Sequence, residues 1–227
     1  MKKFLLLINI CIIFNTYSFA NVKDYRNINS LEYELFRNNQ LIGYHNYKFE
    51  RENEILTVKS VVEFGISKLG LKLYQYNAKS EEKYKNEIFF KFSAKTVQNK
   101  KNKYVNIQLK NDKNELIIDG SSYKGPAPKD FIVGTWWNHE ITKAKAQISA
   151  VSGRVIRQKV TFLGKEQVTI GEKTYNALHF NFMSSDKNLP KEKKLNTDIW
   201  YDEKTNLWIK AAFNKLGRWE YRLKKYN

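Results

Sequence analysis

From residue 31 onward, apolar and polar side chains alternate with a period of two. Leu31, Tyr33 and Leu35 alternate with Glu32 and Glu34, the pattern of a strand with one buried face. Residues 37–40 read as a turn and 41–51 as a second strand, closing a hairpin. Leu56, Val58, Ser60, Val62 and Phe64 share one face of a third strand. Gly65 and Gly70 then bracket a corner, after which 71–78 resumes the pattern. Further strands are expected at 87–97, 104–110 and 115–120, separated by Lys- and Asn-rich turns at 99–103 and 111–114.

The rhythm breaks in the middle. Lys124-Gly125-Pro126-Ala127-Pro128-Lys129 holds two prolines, which cannot donate to a ladder, so it is not expected inside a sheet. Trp137, Ile141, Ala144 and Ile148 follow at i, i+4, i+7 and i+11. That spacing predicts one short helix, with Thr135 placed to cap it. Strands return at 154–163, 166–170, 175–183, 198–201, 207–213 and 218–223. Gly164-Lys165 and Gly171-Glu172-Lys173 read as hairpin turns, and 186–196 as a polar loop containing Pro190. The expected fold is mainly β: a large curled antiparallel sheet or unclosed barrel of about twelve strands with one short helix. Residues 21–227 are expected to form a single β-rich domain, the one place for an internal division being near 125–135.

Residues 1–20 have the three parts of a secretory signal peptide. Lys2 and Lys3 precede the apolar run 4–14, and Ser18-Phe19-Ala20 offers small residues for cleavage between Ala20 and Asn21. The run is too short to cross a bilayer of ~30 Å as a helix. The chain is therefore expected in the periplasm or secreted, and not transmembrane after cleavage. Cys11, the only cysteine, leaves with this segment, which excludes disulfides, zinc-thiolate sites and cysteine nucleophiles from what remains.

Charge changes the picture less than its size suggests. Lys+Arg number 40 against 23 Asp+Glu, a formal +17, and cleavage lowers it to +15 because it removes Lys2 and Lys3 and no acid. The cations are 33 Lys and only 7 Arg, beside 24 Asn. Base and phosphate readers favour Arg for its bidentate fork, so no nucleic-acid partner is expected. The lysines read mostly as a solvated face, with an anionic envelope surface as the partner such a face would meet.

Strings that carry chemistry are scarce. His45, His139 and His179 are remote from one another in sequence, and none has metal-ligand spacing. Ser184-Ser185-Asp186-Lys187 matches a bare S-x-x-K, but its serine ends a strand instead of opening a helix. No catalytic residue, metal site or cofactor is assigned, and no enzymatic activity is expected. The aromatic residues are more informative. Trp136, Trp137, Trp200, Trp208 and Trp219 all lie in the second half. Trp136, Trp137, Trp200, Tyr201 and Trp208 are the candidate ligand-binding residues, because aromatic concavities under curled sheets are common ligand sites. The competing reading has them fill the core.

Several stretches together carry a family likeness. They are Lys68-Leu69-Gly70-Leu71-Lys72-Leu73-Tyr74, Ser80-Glu81-Glu82-Lys83-Tyr84, Thr135-Trp136-Trp137-Asn138, Asp198-Ile199-Trp200-Tyr201-Asp202, Leu207-Trp208-Ile209 and Trp219-Glu220-Tyr221-Arg222-Leu223. In this order they resemble an uncharacterised family of exported proteobacterial proteins, a domain of unknown function. The resemblance implies no activity, cofactor or catalytic residue. A looser resemblance, to the lipoprotein-carrier proteins of the bacterial envelope, implies an unclosed barrel that holds acyl chains. The function expected is thus a non-enzymatic binding or carrier module for a lipid or other apolar or amphipathic ligand. The alternatives are a structural or interaction protein of the envelope with a basic surface, and an uncharacterised hydrolase.

Overall fold

The structure is a computed structural model that describes residues 22–227; the signal-peptide and Cys11 expectations lie outside those residues. One sheet of fifteen strands runs through them. Its first half comprises β1 (Ser30–Arg37), β2 (Gln40–Glu52), β3 (Ile55–Lys68), β4 (Leu71–Lys85), β5 (Ile88–Gln98), β6 (Lys101–Lys110), β7 (Glu115–Gly120) and β8 (Lys124–Pro128). The second comprises β9 (Ile132–Val133), β10 (Ala146–Ile148), β11 (Val155–Ile170), β12 (Lys173–Ser184), β13 (Asn196–Asp202), β14 (Trp208–Asn214) and β15 (Arg218–Tyr226). Spatial order runs from β8 back to β1, then β15 back to β9. Every ladder is antiparallel except the short β9–β10 pair.

The alternation seen in the sequence is the physical cause. In β1, Leu31, Tyr33 and Leu35 are buried and the residues between them are partly exposed. Asparagine supplies the turns. Asn38, Asn39, Asn53, Asn86, Asn99, Asn114 and Asn206 all have positive φ, the conformation that tight hairpin turns demand and that asparagine tolerates best after glycine. Seven of the 24 asparagines therefore have a structural use.

The sheet rolls up with its β9–β10 edge inside. Tyr47 on β2 donates to the Thr135 carbonyl at 2.6 Å, and Trp137 packs edge-on against Tyr25, Phe49 and Tyr84. Val133 and Ile148 join Phe92, Val105, Ile107 and Ile118 in a second apolar cluster. Where the 149–153 loop crosses β7, Gly120 has no room for a side chain: a Cβ there would sit 2.5 Å from the Ser152 carbonyl oxygen.

Three details differ from the sequence reading. The predicted helix is only a 3-10 turn, His139–Thr142, followed by β10. Trp137, Ile141 and Ile148 are buried as the helical spacing requires, but the segment lies inside the roll, so burial no longer reports helical period. Asn138 caps the turn through its Oδ1, which accepts from the Glu140 amide at 3.1 Å; Thr135 instead donates to Glu82. Gly164-Lys165 is not a hairpin turn, because β11 passes straight through it. Gly164, at φ +135, absorbs an irregularity in the ladder with β12. Finally, the strands number fifteen because the proline segment forms the edge strand β8, where a missing donor faces no neighbour, and because β9 and β10 are too short to show a period.

Candidate functional site

The register of the inner face sets where the roll is filled and where it is open. One transverse row runs Phe49, Val58, Glu82, Phe92, Ile107 and Ile118 across β2 to β7. The next runs Tyr47, Ser60, Ser80, Ala94, Val105 and Gly120. The row beyond includes His45, Val62 and Ala78. Large side chains thus give way to Ser60, Ser80, Ala78 and Ala94 over the central strands. The volume they leave is a cavity of about 640 Å³, within the range of small-molecule sites.

Its walls are mixed. Tyr47, Tyr76, Trp136, Phe213 and Tyr221 contribute rings, and Ser60 and Ser80 contribute hydroxyls that bond one another at 2.8 Å. Burial pushes the Tyr76 hydroxyl up to about 12. The opening lies at one end of the sheet. There Lys191, Glu192 and Lys194 of the β12–β13 loop and Lys215 of the β14–β15 turn form the rim, and Lys215 Nζ donates to the Glu192 carbonyl at 3.2 Å.

His45 stands at the inner wall. Tyr33, Tyr47, Trp208 and Tyr221 surround its ring at centroid distances of 4.3–6.3 Å. Neither imidazole nitrogen meets a hydrogen-bond partner among the described residues. Burial alone lowers its pKa to about 3, so the ring is neutral at ordinary pH.

The five sequence candidates occupy three environments, and the cavity takes only one of them. Trp136 lines it, with a backbone φ of +61 that is uncommon for a bulky residue. Its conformation is held by the Tyr201 hydroxyl, which donates to the Trp136 carbonyl at 2.8 Å, and by edge contacts to Trp208 and Tyr221. Trp137, Tyr201 and Trp208 are fully buried core. Trp137 Nε1 donates to Glu82 at 3.0 Å. Trp208 stacks on Tyr33 at 4.1 Å, and Tyr33 donates to its carbonyl at 2.6 Å. Trp200 points to the other face of β13, as strand alternation requires, and is buried there by a polar cluster. It stacks on His179 at 4.2 Å, donates to Glu166 and carries Lys210 over its ring at 4.9 Å.

Sequence reasoning missed His45, Tyr76 and Tyr221. The signal was present for the cavity itself, as small residues sharing the inner faces of β3, β4 and β5, but it needs the register to be read. Among the described residues, no three His, Cys, Asp or Glu side chains converge as metal ligands would. The S-x-x-K serine, Ser184, accepts from the Leu195 amide at 2.7 Å and so pins the start of β13. No described helix is long and apolar enough to cross a membrane.

The family likeness is borne out. The profile of a domain of unknown function, DUF6134, matches residues 33–224. The chain belongs to that family. No curated protein matches it significantly. Among solved structures it resembles a beta-barrel-like protein of domain of unknown function DUF1849 from Brucella abortus, with a TM-score of 0.60. That similarity covers 88% of this chain and 97% of the other at 11% identity, so it concerns the fold alone. In this DUF6134 chain the barrel-like shape comes from one rolled, unclosed sheet.

Proposed function

We propose that this DUF6134 protein is an exported binding or carrier module that takes an apolar or amphipathic ligand into the rolled sheet. The observation that carries the reading is the 640 Å³ cavity where small inner-face residues replace large ones. Its ring-lined wall suits hydrocarbon, while the hydroxyls and the lysine rim give an amphiphile a polar end to meet. The polar groups inside are engaged with each other or held neutral among rings. This supports binding without chemistry. Export is supported by the three-part pattern of residues 1–20.

The test is to fill the cavity. Leucine at Ala78 and Ala94 adds bulk to the floor on neighbouring strands. A single-chain amphiphile such as lysophosphatidylglycerol, titrated below its micellar concentration, should change the tryptophan emission of the parent and leave the Ala78→Leu/Ala94→Leu variant unmoved. Equal titration curves, with both proteins cooperatively folded, would remove the cavity from the explanation.

A further inference from the structure

The end of the sheet at which the cavity opens has a chemistry that the cavity does not account for. In an antiparallel meander, successive turns fall alternately at two ends. One end gathers the β1–β2, β3–β4, β5–β6 and β14–β15 turns and the β12–β13 loop. Three contacts tie part of this end together: the Arg218 amide donates to Asn38 Oδ1 at 2.9 Å, Arg37 Nε donates to the Leu216 carbonyl at 3.1 Å, and Phe64 meets Trp219 edge-on at 5.3 Å.

Two features coincide there. First, leucines stand in water. Leu69 is 94% exposed, Leu216 89%, Leu71 69% and Leu73 55%. Leu69, Leu71 and Leu73 occupy one hairpin tip, interleaved with lysine as Lys68-Leu69-Gly70-Leu71-Lys72-Leu73. Second, the charge is polarised along the strands. The mouth-end turns and loop carry Lys68, Lys72, Lys100, Lys191, Lys194 and Lys215, none of which is in an ion pair among the described residues. The opposite turns carry Glu52, Glu54, Glu87, Asp112, Glu172 and Glu203, interspersed with Lys85, Lys113, Lys173 and Lys204, and Glu87 and Glu203 are paired with Arg26 and Lys165. Glu192 and Asp186 are the acids of the mouth-end loop.

We propose that the mouth end docks on an anionic lipid bilayer, with the β3–β4 hairpin tip inserted at the headgroup level and its lysines against lipid phosphates. A narrow convex tip of leucines between cations matches a charged, deformable apolar surface better than a flat protein face. The contrast between the lysine-rich mouth end and the mixed, acid-bearing turns at the far end favours one orientation, in which the cavity mouth faces the membrane. The inference goes beyond the carrier reading and does not depend on it, since docking concerns the rim and ligand uptake the interior.

The test reads the tip directly. In the full chain carrying Cys11→Ser, a single cysteine is placed at Ser67 (Ser67→Cys) or, at the opposite end, at Lys113 (Lys113→Cys). Each is labelled with a polarity-sensitive fluorophore and mixed with phosphatidylcholine vesicles, with or without phosphatidylglycerol. The label at 67 should brighten and shift to the blue on the anionic vesicles, and the label at 113 should not. Leu69→Asn with Leu71→Asn, at two exposed positions, should weaken that response by at least about tenfold, and Lys68→Gln with Lys72→Gln should remove its dependence on phosphatidylglycerol. A label at 67 that stays unmoved on bound vesicles would place attachment elsewhere and overturn the proposal. Equal responses at both ends would also overturn it, as would self-association in the absence of vesicles that the leucine substitutions abolish.

Discussion

Trp136 and Trp137 are neighbours in the chain and have opposite fates inside the same roll. Trp137 is fully buried, ringed by Tyr25, Phe49 and Tyr84, and its indole N–H is satisfied by Glu82. Trp136 is half-buried with its N–H unpartnered among the described residues, and its ring faces the cavity from a left-handed backbone. The first fits a packed core, its one polar side-chain atom buried and partnered. The second carries two local compromises, a left-handed backbone and an unpartnered N–H. What separates them is the strand row beneath each: Phe49, Val58 and Glu82 under one, Ser60, Ser80 and Ala78 near the other.

The contrast can be broken most forcefully at Glu82. Its carboxylate accepts from Tyr84, from Thr135 at 3.2 Å and from Trp137 at 3.0 Å. Glu82→Ala should therefore destabilise by about 3–5 kcal/mol in urea unfolding, because three buried donors lose one acceptor. Trp137→Ala should fall in the same range. A loss below about 1 kcal/mol for either would mean that this half of the roll is not the packed core described here.

The next effect is a pH dependence. His45 resists protonation until about pH 3, whereas an unfolded chain takes that proton near 6.5. Between those values the unfolded state binds more protons, so stability is present above about 6.5 and is lost as pH falls toward 3. The slope is roughly 1.4 kcal/mol per pH unit, or about 1.4 kcal/mol between pH 7.5 and 5.5. Burial lowers His139 in the same sense. Burial raises Glu82, which acts oppositely: its folded form holds a proton longer, so its contribution declines as pH rises above the ordinary carboxylate range. Comparison of the parent with His45→Phe isolates the histidine. Identical pH profiles for the two would show that the imidazole is hydrated or paired.

Trp136→Ala sharpens the comparison from the cavity side. It should cost only about 1 kcal/mol, well below its neighbour, since the ring borders open volume. Amphiphile affinity should nevertheless drop about tenfold if the ring is part of the binding wall. A stability loss equal to that of Trp137→Ala would merge the two environments into one. Smallest of all, Leu69→Ser should change the urea midpoint by less than about 0.5 kcal/mol equivalent, because a side chain 94% exposed has no packing to lose.

The strands were legible wherever one face is buried and the other wet, as in Leu31-Tyr33-Leu35. They were illegible where the chain enters the interior. Around residues 132–148 both faces are covered, so the apolar spacing mimics a helix that the backbone forms for only one 3-10 turn. Gly164 misled for a different reason: glycine marks a bulge as readily as a turn, and only the pairing with His179 distinguishes them. The sequence singles out the tryptophans as a class, but their division among core, cavity and outer face depends on inter-strand register. The cavity itself is written in what is small, and Ser60, Ser80, Ala78 and Ala94 stand out only once β3, β4 and β5 are laid side by side.

The central ladder of the sheet joins β1 to β15, strands separated by nearly the whole described chain. Its sheet edges, β8 and β9, lie instead in the middle of the sequence. A polypeptide emerging from its amino end would keep the inner edge of β1 unpaired until residue 218 and beyond were delivered. Hairpins on either side can form early from local contacts, but the seam that unites them closes a very long loop. Assembly of this protein should accordingly be slow and cooperative at its final step, and until then each half presents an open strand edge that can pair wrongly with another chain.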